Sequence, residues 1–158
     1  MSGNQYVVDA NVAKSAGKPT TQCAINCVRL LTRIVDGAHS CVFSEALLLE
    51  WRNHASVFAR GWLRQMHARK RYQLAGVAKH VALRKALVRA AISESEKSGV
   101  KKDLHLLELA LAHDKFIVTL EVRLPNYLKA DVGLAKFHSQ ITWIADEPDV
   151  IPVTNSKP

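Results

Sequence analysis

Tyr6-Val7-Val8-Asp9-Ala10-Asn11-Val12 is the stretch around which the chain is organised. Three β-favouring residues run into an aspartate, and an asparagine follows two positions later. So short an apolar run, stopped by Asp, predicts a buried strand with a carboxylate at its C-terminal tip. In open α/β sheets that tip is where ligands bind. A lone Asp there has an ordinary explanation as a turn residue, but three more acids occupy comparable places downstream.

Outward from that strand, Lys14 to Pro19 reads as a loop of small residues. Thr20 or Thr21 is placed to cap a helix to about Asp36, with Ile25, Val28, Leu31, Ile34 and Val35 as its apolar face and Gly37 as its stop. Ser40 to Phe43 predicts a second strand, and Ser44 the N-cap of a helix from Glu45 to about Ala55. A helix is expected over 56–72 with Val57, Trp62, Leu63 and Met66 inward. After Gly76 comes a long helix from about Val77 to Glu96, with Val77, Val81, Val88 and Ile92 along one side, and Ser98-Gly99 closes this pair. Asp103 opens a helix to about His113 with Leu104, Leu107, Ala110 and Leu111 inward, and Phe116 to Leu120 is a third strand running into Glu121. Pro125-Asn126 begin a loop and a helix through Tyr127, Leu128, Leu134 and Phe137, and Ile141 to Ile144 form the last strand.

Strands separated by helices imply an α/β protein in three layers. The expected core is a mainly parallel sheet of four to five strands with helices on both faces. It spans 1–145, with a basic helical arm at about 56–97 and a tail over 146–158.

Length and composition agree with one folded domain: 158 residues, 48% apolar and 23% charged. No apolar run is long enough to cross a bilayer, and the opening residues lack the pattern of a signal peptide, so no membrane association and a cytoplasmic location are expected. Cys23, Cys27 and Cys41 have no CxxC spacing. With His39 they match no common zinc motif, and small buried thiols in a reducing compartment are the better account. The net charge of +8 is unevenly placed. Arg52 to Lys102 holds thirteen Lys/Arg against two acids, and the remainder nine against twelve. Such a block is either a solvated helix face or a cradle for a polyanion such as a nucleic acid backbone.

Asp9 and Glu121 each follow an apolar strand, and parallel strands bring both to one edge of the sheet. Asp103 starts the helix that feeds the third strand, so it lands on the same rim. Glu50 lies within Ser44-Glu45-Ala46-Leu47-Leu48-Leu49-Glu50-Trp51, on the side of the helix shared by Leu47 and His54. An acid beside an apolar seam costs free energy unless something pairs with it. Singly, each acid has a simple account: a turn, an N-cap, a strand-end charge, a half-exposed helix residue. Together, four carboxylates on one rim call for counter-ions, and hard divalent cations suit oxygen donors. The chemistry that uses such a cluster is phosphodiester hydrolysis.

At this point the chain resembles a PIN domain, the metal-dependent ribonuclease fold of VapC-like toxins and of RNA-processing enzymes. Val7 to Val12 is similar to the family's opening strand, with its Asp and a small polar residue two later. Ser44 to Trp51 is similar to the segment in which a serine after the second strand precedes the family's Glu, here Glu50. Lys102 to Ala112, followed by Ile117-Val118-Thr119-Leu120-Glu121, resembles the Asp-led helix and the strand ending Thr-x-Asp. Glu121 departs from the pattern, standing where most members have Asp.

The resemblance implies that Asp9, Glu50, Asp103 and Glu121 hold one or two Mg²⁺ or Mn²⁺ ions, with Asn11 and Thr119 as supporting polar groups. It implies hydrolysis of RNA to a 5′-phosphate and a 3′-hydroxyl with no covalent intermediate. Arg52, Arg60, Arg64, Arg69, Lys70 and Arg71 would hold the backbone. The histidines need no catalytic part; for His54 and His105 a surface or packing role is expected. In the family, an antitoxin protein lays a segment across the acidic cleft and the domains commonly form homodimers, so the toxin half of a bacterial toxin–antitoxin pair is the role implied. Glutamate at 121 also leaves open a PIN-like domain that binds RNA or protein without cutting. A phosphoacceptor receiver is the third reading, but Asp9 is followed by Ala10 rather than a second acid, and Lys129 is poorly placed for it.

Overall fold

The computed structural model describes residues 3–17, 20–76 and 78–153. Its centre is strand β1, Gln5–Val8, in which Tyr6, Val7 and Val8 are each at most 1% exposed. A strand so buried must be covered on both faces, which is why it reads as an unbroken apolar run. β2 (Ser40–Phe43), β3 (Tyr72–Leu74), β4 (Phe116–Val118) and β5 (Thr142–Ile144) complete a sheet of order β3-β2-β1-β4-β5, every neighbouring pair parallel. The three-layer α/β fold expected from the sequence is therefore the fold observed.

Parallel strands need crossovers, and all four here are helical. α1 (Ala10–Ser15), α2 (Gln22–Asp36), α3 (Glu45–His54) and α4 (Val57–Ala68) serve β1 to β3 and pack on one another. α5 (Val81–Arg89), α6 (Glu94–Lys102), α7 (Leu104–Leu111), α8 (Arg123–Lys129) and α9 (Val132–Gln140) form the second group, and α3 meets α7 between the two. The chain winds outward from β1 to β3 and then crosses back to β4. Strand order reverses between β1 and β4, and at such a switch point a crevice opens beyond the C-terminal ends of the strands.

Several expected elements come out differently. α1 begins directly after Asp9, because Ala10, Val12 and Ala13 bury against the core; of the expected loop, Lys14 and Ser15 are helical, and 18–19 lie outside the described residues. α2 keeps its predicted bounds, and Thr21 Oγ1 accepts from Ala24 N at 3.1 Å. Its buried face is set by Cys27, Leu30, Leu31, Ile34 and Val35, which leaves Ile25 36% exposed. The expected helix over 56–72 stops at Ala68; the chain turns at Lys70 (φ 58°) and Tyr72–Leu74 becomes edge strand β3. Val57 points outward, 75% exposed, while Ala59, Trp62 and Met66 face in.

The long helix expected over 77–96 is two helices: α5 ends at Arg89, and Ser93 caps α6 by accepting from Glu96 N at 3.1 Å. Leu83 and Leu87, not Val81 and Val88, are the buried residues of α5, and Ser98-Gly99 lies inside α6. Val77 lies outside the described residues. The basic stretch is thus mainly helical but is interrupted by β3 and by the α5–α6 break. β4 ends at Val118, although Thr119 N still donates to Ile144 O at 2.9 Å. The helix expected after Pro125-Asn126 is α8 and α9, with Pro125 inside α8 and Asp131 capping α9 through Leu134 N at 3.0 Å.

The start of the expected tail is packed. Ile151 is fully buried, its carbonyl accepts from Arg33 Nε at 2.8 Å, and the Pro152 carbonyl stands 2.6 Å from His39 Nε2. His39 Nδ1 accepts from Asn4 N at 2.9 Å. Both ends of the described chain are thereby fastened at the N-terminal edge of the sheet; 154–158 lie outside it. Among the described residues no helix is long and apolar enough to cross a membrane. The three cysteines are free, Cys27 and Cys41 buried and Cys23 half-buried.

Candidate active site

Asp9 follows the last residue of β1, and its N–H donates to Val118 O at 2.8 Å, which sets it beside Thr119 at the switch point. Thr119 Oγ1 donates to Asp9 Oδ2 at 2.8 Å and accepts from Asn11 Nδ2 at 3.3 Å and Glu121 N at 3.0 Å. A hydroxyl has one donor and two acceptor positions, so this one is saturated and its proton is committed to Asp9. Asn11 Oδ1 accepts from Leu120 N at 3.2 Å, tying the loop after β4 to α1. The supporting roles expected of Asn11 and Thr119 thus have a concrete geometry. Asp9 is only 9% exposed. Burial pushes its carboxyl above the ordinary value, Thr119 opposes the rise, and Glu50 adds to it.

Glu50 reaches the crevice through its neighbour. Trp51 is 1% exposed and its Nε1 donates to Val8 O at 2.9 Å, which pins α3 against the tip of β1. The start of α3 is held by Ser44 Oγ accepting from Leu47 N at 3.2 Å. Asp103 sits between α6 and α7 and its side chain caps neither, so the carboxylate stays available. Its pKa is pushed up to about 6, first by burial and then by Asp9, with Glu50 adding and His105 and Lys102 opposing.

All four sequence-predicted acids line one cleft of about 320 Å³, with Asn11, Lys14, His54 and Lys102 also on its walls. Glu121 is turned differently from the others: its Oε1 accepts from Arg123 N at 2.8 Å, so the carboxylate folds back on its own loop. His105, for which a packing or surface role is expected, lies with its Nε2 3.3 Å from Glu50 Oε1. That approach lacks the alignment of a hydrogen bond, and both ring nitrogens are buried without a partner among the described residues. Its distance of two from Asp103 gave no warning of this, because only the α3–α7 contact brings it to Glu50. Lys14, expected in a loop, and Lys102, expected as part of the basic block and of the Asp103 motif but not as a site residue, both line the cleft.

The predicted backbone-binding cations lie elsewhere. Arg52, Arg60 and Arg64 line a separate groove of about 520 Å³, with Leu63 and Tyr72, that shares no residue with the acidic cleft. Arg69, Lys70 and Arg71 occupy the turn into β3, where Arg71 Nη1 donates to Val35 O at 3.0 Å.

The donor set of the cleft is carboxylate oxygen, which suits Mg²⁺ or Mn²⁺ rather than a soft metal. The mutual repulsion that helps raise Asp9 and Asp103 marks a site that a cation would stabilise. As placed, the carboxylates do not close around one point: among the described residues no group of three or more His, Cys, Asp or Glu is positioned to hold an ion. The chain matches no protein-family model, and no curated protein sequence matches it significantly.

Proposed function

We propose that this protein is a metal-dependent endoribonuclease of PIN type, hydrolysing RNA phosphodiesters to a 5′-phosphate and a 3′-hydroxyl. The observation that carries the reading is the meeting of Asp9, Glu50, Asp103 and Glu121 in one cleft at the switch point, from four separate elements, with two lysines beside them. Asp9, Glu50 and Asp103, which stand too open here to surround one point, would draw together to hold one or two Mg²⁺ or Mn²⁺ ions, with Glu121 at the margin. A divalent cation there would supply charge neutralisation and lower the pKa of a water. The chain's own residues do the rest. Thr119 keeps Asp9 Oδ2 engaged and its orientation fixed, Asn11 locks the loop carrying Thr119 and Glu121, and Lys14 and Lys102 attract the phosphate backbone. The role is that of the toxin in a bacterial toxin–antitoxin pair, with an antitoxin protein and a second copy of the chain as partners.

The test is Asp9→Asn. This variant keeps the fold by circular dichroism and loses Mn²⁺-dependent cleavage of single-stranded RNA; cleavage at the parent's rate refutes the assignment. A second reading, a PIN-like domain that binds RNA without cutting it, is favoured by the turned-back Glu121 carboxylate. It gives salt-sensitive binding and no product with either metal.

A further inference from the structure

Past Asp103 and Glu121 the acidic cleft continues into a smaller pocket of about 130 Å³. The two spaces share Lys102, Asp103 and Glu121, so they make one trough. The far end has a different chemistry, walled by Arg123, Leu124 and Tyr127 of α8 and by Gly99 of α6. Leu124 is 2% exposed and makes the floor apolar, while Tyr127 is half-buried.

Gly99 stands within α6, where glycine is less stable than alanine through backbone entropy. A Cβ at this position would lie 3.0 Å from Tyr127 Cε2 and 3.5 Å from Cδ2. The missing side chain therefore lets the tyrosine ring settle against the helix. The guanidinium of Arg123 and the ammonium of Lys102 make no ion pair among the described residues. An aromatic ring flanked by two uncommitted cations, at the end of an acidic trough, is the combination that single-stranded nucleic acid uses: bases stack on the ring and phosphates meet the cations. The arginine groove beside Tyr72 has similar chemistry but no continuity with the acids.

We propose that the pocket formed by Tyr127, Arg123 and Gly99 is a nucleobase subsite. One base of an RNA strand stacks on Tyr127 while Arg123 and Lys102 hold its flanking phosphates, which sets the adjoining phosphodiester beside Asp9 and Asp103. The proposal rests on reading the cleft as an RNA-cleaving site, and its experiment has two arms so that the two ideas fail separately.

In the first arm, fluorescence anisotropy measures binding of a short single-stranded RNA to Asp9→Asn protein, alone or with Tyr127→Ala or Tyr127→Phe. Loss of stacking weakens binding about 10-fold for Ala, and Phe stays within about twofold of the parent. A matching strand lacking bases binds the Asp9→Asn protein and its Tyr127→Ala derivative alike. In the second arm, Mn²⁺-dependent cleavage by Tyr127→Ala shows a raised KM, which Tyr127→Phe restores to near the parent's. Equal RNA affinity of the Ala and parent proteins overturns the subsite, as does an equal loss on the baseless strand or no binding by the parent. Absence of cleavage by every protein, with the affinity pattern intact, overturns the hydrolytic reading and leaves the subsite standing.

Discussion

Replacing Thr119 by valine removes a hydroxyl and changes the shape of the side chain very little. Thr119 is 5% exposed, and three hydrogen bonds end on its oxygen, from Asn11, from Glu121 N and to Asp9. A neutral intramolecular hydrogen bond contributes about 1 kcal/mol net, and one to an ionised group about 2 kcal/mol. Asn11 and Glu121 N retain some access to water, so the expected loss for Thr119→Val is about 3 kcal/mol. In a chain of this size that lowers the Tm by about 6–12 °C. Thr119→Ser keeps the oxygen and loses one methyl, at about 1 kcal/mol. Urea unfolding followed by the fluorescence of buried Trp51 and Trp62 measures both variants. If Thr119→Val is as stable as Thr119→Ser within about 0.5 kcal/mol, the hydroxyl is not the junction described and the reasoning fails. Valine also removes the bond that holds the Asp9 carboxyl down, so its pKa rises further.

Two other consequences concern carboxylates, one half-buried and one buried. With its pKa near 6 against 3.8 for the free side chain, Asp103 keeps a proton in the folded, metal-free protein where the unfolded chain has lost it. The folded state binds more protons in that window, so stability falls as pH rises through it; solvent screens this half-buried carboxyl, which holds the loss to about 1 kcal/mol. Asp103→Asn abolishes this component, and identical pH profiles of parent and variant in denaturant unfolding would contradict it. Glu108 has the opposite sign. It is 6% exposed and gripped by Arg84 Nη2 at 2.7 Å and Nε at 2.9 Å, which hold its carboxyl below the usual range. Its contribution is present above the unfolded value and disappears as pH falls through the folded one. Glu108→Gln costs about 2 kcal/mol, reduced from a fully buried pair because Arg84 is 40% exposed. The paired replacement Arg84→Met/Glu108→Leu is less destabilising than Glu108→Gln alone, and the reverse order in a melting series would refute this account.

What could be read from the sequence follows burial. β1, β2 and β4 announce themselves because both faces are covered and the apolar runs are continuous. β3 does not: Gln73 and Leu74 are exposed on an edge strand, so Tyr72–Leu74 carries no period to distinguish it from the end of a helix. The break between α5 and α6 was hidden because Ala90, Ala91 and Ile92 suit a helix and only the cap at Ser93 interrupts them. The valines at 81 and 88 imitate an apolar stripe, whereas the face turned inward belongs to Leu83 and Leu87. In the site, Asp9, Asp103 and Glu121 were legible because chain order and parallel topology alone put them on one rim. Lys14, Lys102 and His105 depend on the rotation of short helices about their axes, which no pattern in the residues reports. The arginines of α3 and α4 illustrate the same limit: Arg52 is two residues from Glu50 and lines a different groove.

The fastening of Asn4 and Pro152 to His39 also has a practical side. Because Asn4 and Pro152 lie at the end of the sheet opposite the acids, a label attached at either of these two positions sits away from the cleft. Protein held to a surface through either position therefore presents its carboxylates to solution.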